Sequence, residues 1–186
     1  MELYAIMELL KFHIENNHYS YPIFYKFVER LIPSISSSII IELGIKDNNK
    51  STILFDAIAN KYNGLFITSD SDNNQIDKVK LGSRSQIIIE NTIMFIYNLI
   101  THIKTNDNLK NSKIQMHLNM YDEVNLTEIE NANIYLNCYY IAKSLFIPGS
   151  QLLVNTNNNE TIITILKKEI PVNSQSFNNR YLLFQW

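Results

Sequence analysis

Hydrophobic and polar positions alternate along the chain in blocks that predict a strand, a loop and a helix in turn. The run Ile39 to Leu43 is apolar and β-branched, as in a parallel strand that is buried on both faces. The polar segment 45–49 predicts a loop, and 51–62 predicts a helix with Ser51 or Thr52 as its N-cap. Such a unit places backbone N–H groups at the carboxyl edge of a sheet, where α/β folds bind ligands.

The same alternation continues towards the C-terminus. Further strands are predicted at 65–68, 86–90, 114–120, 150–155 and 180–186. Helices are predicted at 92–104 and 127–146, and a weak one at 75–79; a capping box of Thr127 and Glu130 opens the second. Residues 161–168 fit a helix or a strand. The pattern therefore predicts an α/β fold: a mostly parallel, doubly wound sheet with helices on both faces and a C-terminal antiparallel strand or hairpin.

Two helices are predicted before the first strand. Apolar residues at helical spacing define the first over 2–16, and Pro22 and Pro33 bound the second. Their apolar faces include Leu10, Ile14, Phe24, Phe27 and Leu31. We expect this pair to cover one face of the sheet, with a lid or a substrate wall as the alternative. Residues 1–186 are then a single domain, in which 1–33 form an N-terminal cover.

The amino-acid composition limits the classes of protein to which the chain could belong. The chain of 186 residues is 46% apolar and 18% charged, which is typical of a globular protein. Its net charge is −2 and it has no cluster of Lys and Arg, so we expect no nucleic acid as a partner. No apolar run reaches the length of a membrane span, so no membrane partner is expected either. The single cysteine, Cys138, and the lack of a basic N-terminal segment favour the cytoplasm.

Acidic residues near strand ends are the candidates for chemistry. Asp70 and Asp72 follow the second strand, where they would accept hydrogen bonds from a ligand or form a solvated turn. Glu42 lies within a buried strand, where a carboxylate is costly without partners. Its two interpretations are a hydrogen-bonded structural carboxylate and a group that orients the loop or the amine of a cofactor.

Asp122 and Glu123 end the fourth strand. They would act as a general base, bind a metal together with His117, or cap the following loop. The loop interpretation is favoured from the residues alone, and no metal site is predicted.

Three sequence features, taken in order along the chain, resemble a known family. Glu42-Leu43-Gly44 with Ser51-Thr52 is similar to a first glycine-containing motif, Asp70 takes the place of an acidic residue that holds ribose hydroxyls, and 145–150 is similar to an L-x-P-G-G turn. From about Ser37 onward the chain thus resembles the class I S-adenosylmethionine-dependent methyltransferases. The resemblance implies a Rossmann-like methyltransferase core over 37–186. It also implies S-adenosylmethionine as cofactor. The residues that would bind it are Glu42, Gly44, Ser51, Asp70 and Asp72. Either Asp122 or Glu123 would be the catalytic base.

The sequence also departs from that family. No glycine follows Gly44 in the first loop, Ser150 replaces the second glycine of the turn, and Tyr121-Asp122-Glu123 stands where nitrogen-methylating members have Asp-Pro-Pro-Tyr. Three functions are therefore open. The first is methyl transfer to the oxygen of a small molecule. The second is an inactive relative with a degenerate cofactor site that serves as a binding or scaffolding module. The third is a homo-oligomeric structural protein that associates through its N-terminal helices.

Overall fold

Seven strands form one sheet in the computed structural model, which describes residues 8, 21–45, 50–72, 80–120, 125–177 and 180–186. The strands are β1 (Ser38–Leu43), β2 (Leu65–Asp70), β3 (Ser85–Ile89), β4 (Lys113–Leu118), β5 (Gln151–Asn155), β6 (Ser174–Phe177) and β7 (Tyr181–Gln185). The helices are α1 (Tyr21–Leu31), α2 (Lys50–Tyr62), α3 (Thr92–Thr105), α4 (Glu128–Ala142) and α5 (Glu160–Glu169). Short 3-10 turns cover Ile32–Ser37 and Lys143–Leu145.

The strand order is β3-β2-β1-β4-β5-β7-β6, and the first five strands are parallel. Strand β7 runs antiparallel between β5 and β6. This topology confirms the prediction of a mostly parallel sheet with a C-terminal antiparallel hairpin. Since parallel strands end at the same edge, Gly44, Asp70 and Asn155 all lie at the carboxyl edge of the sheet. Asp122, expected at that edge too, lies outside the described residues.

Helices cover both faces of the sheet, as predicted. In β1, Ile39, Ile41 and Leu43 join one hydrophobic core with α3, α4 and α5. Ile40 points the other way, into a second core with α1 and α2. This alternation is the period of two that a strand imposes on its side chains. Glu42 therefore points towards α2, and this direction determines its partners.

The second of the two predicted N-terminal helices is α1. Its residues Phe27, Val28 and Leu31 are fully buried in the second core, which they share with Leu153 and Tyr181 of β5 and β7. The predicted helix over 2–16, with Leu10 and Ile14, lies outside the described residues, as does the side chain of Phe24. Among the helices that the structure describes, none has the length and apolar character needed to cross a membrane.

Three glutamines join α1 to the amino edge of the sheet. Gln151 of β5 donates from Nε2 to Gln115 Oε1 at 2.8 Å and to the carbonyl of Phe27 at 3.0 Å. Gln185 of β7 donates to Gln151 Oε1 at 3.3 Å. We call these three residues the glutamine ladder. Gln115 and Gln151 are buried, and the ladder supplies their amides with hydrogen-bond partners in place of the water that burial removes.

Some boundaries differ from the predicted ones. Helix α2 begins one residue earlier than expected, at Lys50, and the hydroxyls of Ser51 and Thr52 donate to Glu42 instead of capping the helix. The ambiguous segment 161–168 is helical, because Asn159 caps α5 by accepting from the N–H of Ile162 at 3.1 Å.

The predicted capping box is confirmed: Thr127 accepts from the N–H of Glu130, and Glu130 accepts from the N–H of Thr127. Helix α4 ends at Ala142, before the predicted end at 146. The weak helix expected over 75–79 lies outside the described residues.

Phe27→Ala tests whether α1 is part of the core. The ring of Phe27 lies 5.7 Å from that of Phe55, centroid to centroid, so its removal leaves a cavity between α1 and α2. We expect the free energy of unfolding to fall by about 3–5 kcal/mol. Lys26→Ala is the control, since it removes only an exposed hydrogen bond to Gln175 and should change stability by less than about 0.5 kcal/mol. Urea denaturation measures both, and equal effects would show that α1 is a detachable appendage.

Candidate functional site

A cleft of about 370 Å³ opens at the carboxyl edge of the sheet. It lies where β1, β2, β3 and β4 end and where α3 begins. Its lining, which combines main chain, polar groups and apolar side chains, consists of Gly44, Asp70, Ser71, Asn91, Thr92, Ile93, Met120 and Ile134. Asp70 is the one charged residue among the lining residues that the structure describes. This described lining offers both polar and apolar surface to a ligand.

Gly44 forms the wall of the cleft at the end of β1. Its φ is +88°, a conformation that residues with a side chain rarely adopt. A Cβ at this position would lie 2.5 Å from the carbonyl oxygen of Asn119, so the two main chains approach too closely for any other residue. The N–H of Gly44 donates to the carbonyl of Ser69 at 2.9 Å. Gly44 therefore holds the ends of β1, β2 and β4 together at the cleft.

Asp70 is the last residue of β2, and its carboxylate joins two loops. Oδ2 accepts from the N–H of Ile45 at 2.6 Å, and Oδ1 accepts from the N–H of Asp72 at 2.8 Å. A carboxylate has about four lone-pair positions, so each oxygen can accept one more hydrogen bond. Asp70 is partly exposed in the cleft, where a ligand can supply these two bonds.

Glu42 is fully buried beneath the loop that follows β1. Oε1 accepts from the hydroxyl of Ser51 and lies 3.1 Å from Nδ1 of His117. Oε2 accepts from the hydroxyl of Thr52 at 2.6 Å. The carboxylate thus joins β1, the first turn of α2 and β4, as a hydrogen-bonded structural carboxylate would.

Two asparagines extend these hydrogen bonds across the carboxyl edge. Asn119, the residue after β4, donates from Nδ2 to Ser51 Oγ at 3.3 Å and accepts at Oδ1 from Asn155 Nδ2 at 3.0 Å. Asn155 Oδ1 in turn accepts from the N–H of Asn157 at 3.1 Å. Asn119 is 1% exposed and Asn155 is 0% exposed. We call Ser51, Asn119 and Asn155, together with Glu42, the asparagine network.

The residues predicted to bind a cofactor fall into two groups. Gly44 and Asp70 line the cleft. Glu42 and Ser51 are buried behind it. Asp72 is exposed and is not among the lining residues, and its backbone N–H donates to Asp70.

The predicted catalytic pair, Asp122 and Glu123, lies outside the described residues. His117, considered as a metal ligand, is buried against Glu42 and the ring of Phe55. The described part of the chain contains no group of three or more His, Cys, Asp or Glu residues arranged to hold a metal ion.

Sequence reasoning did not select Asn91, Ile93, Met120 or Ile134 as cleft residues. Asn91 follows one predicted strand and Met120 is the last residue of another, and a position at a strand end is the signal that identified Asp70, but neither residue carries a charge that would draw attention. Ile93 and Ile134 belong to helical apolar stripes, and nothing in the sequence distinguishes a cleft wall from the core at such positions.

Glu42→Gln tests the importance of the buried carboxylate. The amide NH₂ would face one of the hydroxyl donors and leave it without an acceptor, so the free energy of unfolding should fall by about 1.5–3 kcal/mol. Glu90→Gln is the control, because the carboxylate of Glu90 bonds only the exposed amide of Asn98 among the contacts resolved, and its loss should cost less than about 0.5 kcal/mol. Urea denaturation of both variants decides the matter. A Glu42→Gln variant as stable as the control would mean that the carboxylate is not required.

Comparison of the sequence with protein-family models and with curated proteins gave no match. The fold does match solved structures. The SAH-bound methyltransferase PaMTH1 of Podospora anserina is similar over 98% of this chain and 87% of that one, with a TM-score of 0.58 and 9% identity. A Plasmodium falciparum protein described as a ribosomal RNA methyltransferase is similar over 87% of this chain and 94% of that one, with a TM-score of 0.52 and 16% identity. The chain therefore has a class I methyltransferase-like fold, as the sequence motifs indicated.

Proposed function

We propose that this protein binds S-adenosylmethionine in the carboxyl-edge cleft and transfers its methyl group to an oxygen atom of a small molecule. The observation that carries the proposal is the position of Asp70. Its carboxylate ends β2 beside Gly44, lies in a cleft of about 370 Å³, and keeps capacity for two more hydrogen bonds. The vicinal hydroxyls of a ribose are a matching pair of donors.

The remaining lining suits the other parts of the cofactor. Ile93, Met120 and Ile134 provide apolar surface for an adenine ring, and Asn91 and Thr92 add polar groups beside it. The volume lies within the range of roughly 300–1,000 Å³ that small-molecule sites occupy. The residues present therefore fit a nucleoside with an attached polar group.

Bound S-adenosylmethionine would supply an activated methyl group. The main contribution of the protein would be to hold the acceptor oxygen in line with that group, which lowers the entropic part of the barrier. We assign the role of general base to Asp122 or Glu123, which follow β4 in the sequence. We place this reaction in the cytoplasm, the compartment that the single cysteine favours.

A small substrate is favoured by charge. Among the residues that the structure describes, the cleft lining carries one charged residue, which is acidic, and the whole chain has a net charge of −2. A nucleic acid would need Lys and Arg side chains along its phosphates, so the acidic cleft disfavours it.

A second candidate function is an inactive methyltransferase-fold protein that acts as a binding or scaffolding module, which includes a homo-oligomer. The observation that favours it is also made at Asp70, where both oxygens already accept backbone N–H groups. In this interpretation the carboxylate is structural, and the glycine-poor loop after Gly44 has no role in binding a cofactor.

Asp70→Ala separates the two functions. If the carboxylate binds ribose hydroxyls, the variant should bind S-adenosylmethionine about ten- to a hundredfold more weakly, because a hydrogen bond to a charged group contributes about 1.5–3 kcal/mol. Isothermal titration calorimetry with S-adenosylmethionine and S-adenosylhomocysteine measures the change.

Asp56→Ala is the matched control. Asp56 Oδ1 also accepts a backbone N–H, from Gly82 at 2.9 Å, but Asp56 does not line the cleft. This variant should bind as the wild type does. A wild type that binds neither ligand would favour the scaffolding function, and equal affinities of wild type and Asp70→Ala would place the ligand elsewhere.

A further inference from the structure

We propose that Asn119 and Asn155 are positioning residues that hold Gly44, Ile45 and the first turn of α2 in the arrangement that binds the cofactor. The inference deepens the proposed function and rests on it for its ligand. Neither side chain is part of the chemistry. Their role is to connect the ends of β4 and β5 to the first turn of α2, and so to fix the two ends of the loop between β1 and α2.

The hydrogen bonds of the asparagine network run in one direction. Ser51 has a single hydroxyl proton, which it donates to the carboxylate of Glu42, so its oxygen can only accept from Asn119. Asn119 must then present its NH₂ to Ser51 and its Oδ1 to Asn155. Asn155 must present its NH₂ to Asn119 and its Oδ1 to the N–H of Asn157. The carboxylate therefore determines the orientation of both amides, and the loss of one member leaves the next without a partner.

The network contacts the loop at both of its ends. Glu42 lies two residues before Gly44, and Ser51 lies in the first turn of α2. The main chain of Asn119 packs against Gly44, and its N–H donates to the carbonyl of Leu43 at 2.8 Å. Between these points, Ile45 donates to Asp70. A displacement of Asn119 would therefore move Gly44 and Ile45 relative to Asp70, and Gly44 and Asp70 both line the cleft.

Asn155 is also connected to Met120, a second residue of the cleft lining. The hydroxyl of Tyr135 lies 3.1 Å from the carbonyl of Asn155 and 3.2 Å from that of Met120, which lines the cleft. Asn155 itself does not line the cleft and is fully buried. Any effect of Asn155 on ligand affinity must therefore pass through its neighbours, which is the meaning of a positioning residue.

The chain contains its own control for this idea. Gln151 lies four residues before Asn155 on the same strand, is equally buried, and makes the same type of amide–amide hydrogen bond to β4. It belongs to the glutamine ladder at the amino edge, which contacts α1 and not the loop. Substitution of either residue by leucine removes one buried amide from β5, but only Asn155→Leu breaks the asparagine network.

The experiment compares wild type, Asn155→Leu and Gln151→Leu. Calorimetry gives the Kd for S-adenosylhomocysteine at a temperature well below the lowest Tm, and thermal denaturation gives the Tm of each protein. We expect both variants to lose thermal stability. We expect Asn155→Leu to raise Kd by roughly tenfold, and Gln151→Leu by less than about twofold. Equal Kd values for the two variants would overturn the proposal, because the asparagines would then contribute only to stability.

A second variant covers the case in which Asn155→Leu does not fold. In Asn155→Asp the new carboxyl group can donate to Asn119 Oδ1 only while it is protonated, and burial favours that form. Its Kd relative to wild type should therefore be near one at mildly acidic pH and rise with pH as the carboxyl ionises. A ratio that does not change with pH would overturn the proposal.

Hydrogen exchange separates this inference from the proposed function. The backbone amides at the start of α2 should exchange faster in Asn155→Leu, or in Asn155→Asp at high pH, than in Gln151→Leu, whether or not any ligand binds. Faster exchange with no binding by the wild type would overturn the proposed function and keep the positioning role. Binding by the wild type with unchanged exchange and unchanged Kd in the variants would overturn the positioning role and keep the proposed function.

Discussion

The buried carboxylate of Glu42 is the constraint on which the carboxyl edge of the sheet depends. A carboxylate removed from water costs several kcal/mol unless donors replace the lost hydration. Here the hydroxyls of Ser51 and Thr52 do so, and Nδ1 of His117 lies 3.1 Å from the carboxylate. These groups come from α2 and β4, so one carboxylate joins three segments of the chain. The pairing of β1 with β4 places His117 directly beside Glu42, so this contact follows from the register of the two strands.

Two residues follow this constraint at the start of the first loop. Gly44 is required, because its φ is positive and a side chain would collide with Asn119. Ile45 donates its N–H to Asp70, which lines the cleft. Asp70 consequently has two roles that compete for the same oxygens, one in holding the loop and one that we propose in binding a ribose. The two are compatible because a carboxylate accepts more hydrogen bonds than the loop uses.

Local patterns predicted much of the fold, and long-range interactions decided the rest. Three features could be predicted because each depends on neighbours in sequence. They are the β-branched run of β1, the capping box of α4 and the position of Asp70 at the end of a strand. Ser51 and Thr52 were predicted as N-caps by the same local rule, and this was wrong. An N-cap contributes about 1 kcal/mol, whereas an unpaired buried carboxylate costs more, so Glu42 takes both hydroxyls. The pairing of Asn119 with Asn155 depends on the register of β4 and β5, which no local pattern reveals.

Buried amides at the two edges of the sheet also stabilise the register of β4 and β5. At the amino edge Gln115 pairs with Gln151, and at the carboxyl edge Leu118 pairs with Val154, so that Asn119 and Asn155 follow side by side. A slip of one residue would turn every side chain of β5 to the opposite face, and a slip of two would separate both amide pairs. Apolar residues alone would penalise the first error and tolerate much of the second. The polar pairs exclude the second error as well, and the ends of β4 and β5 are thereby held at the depth that the cleft requires.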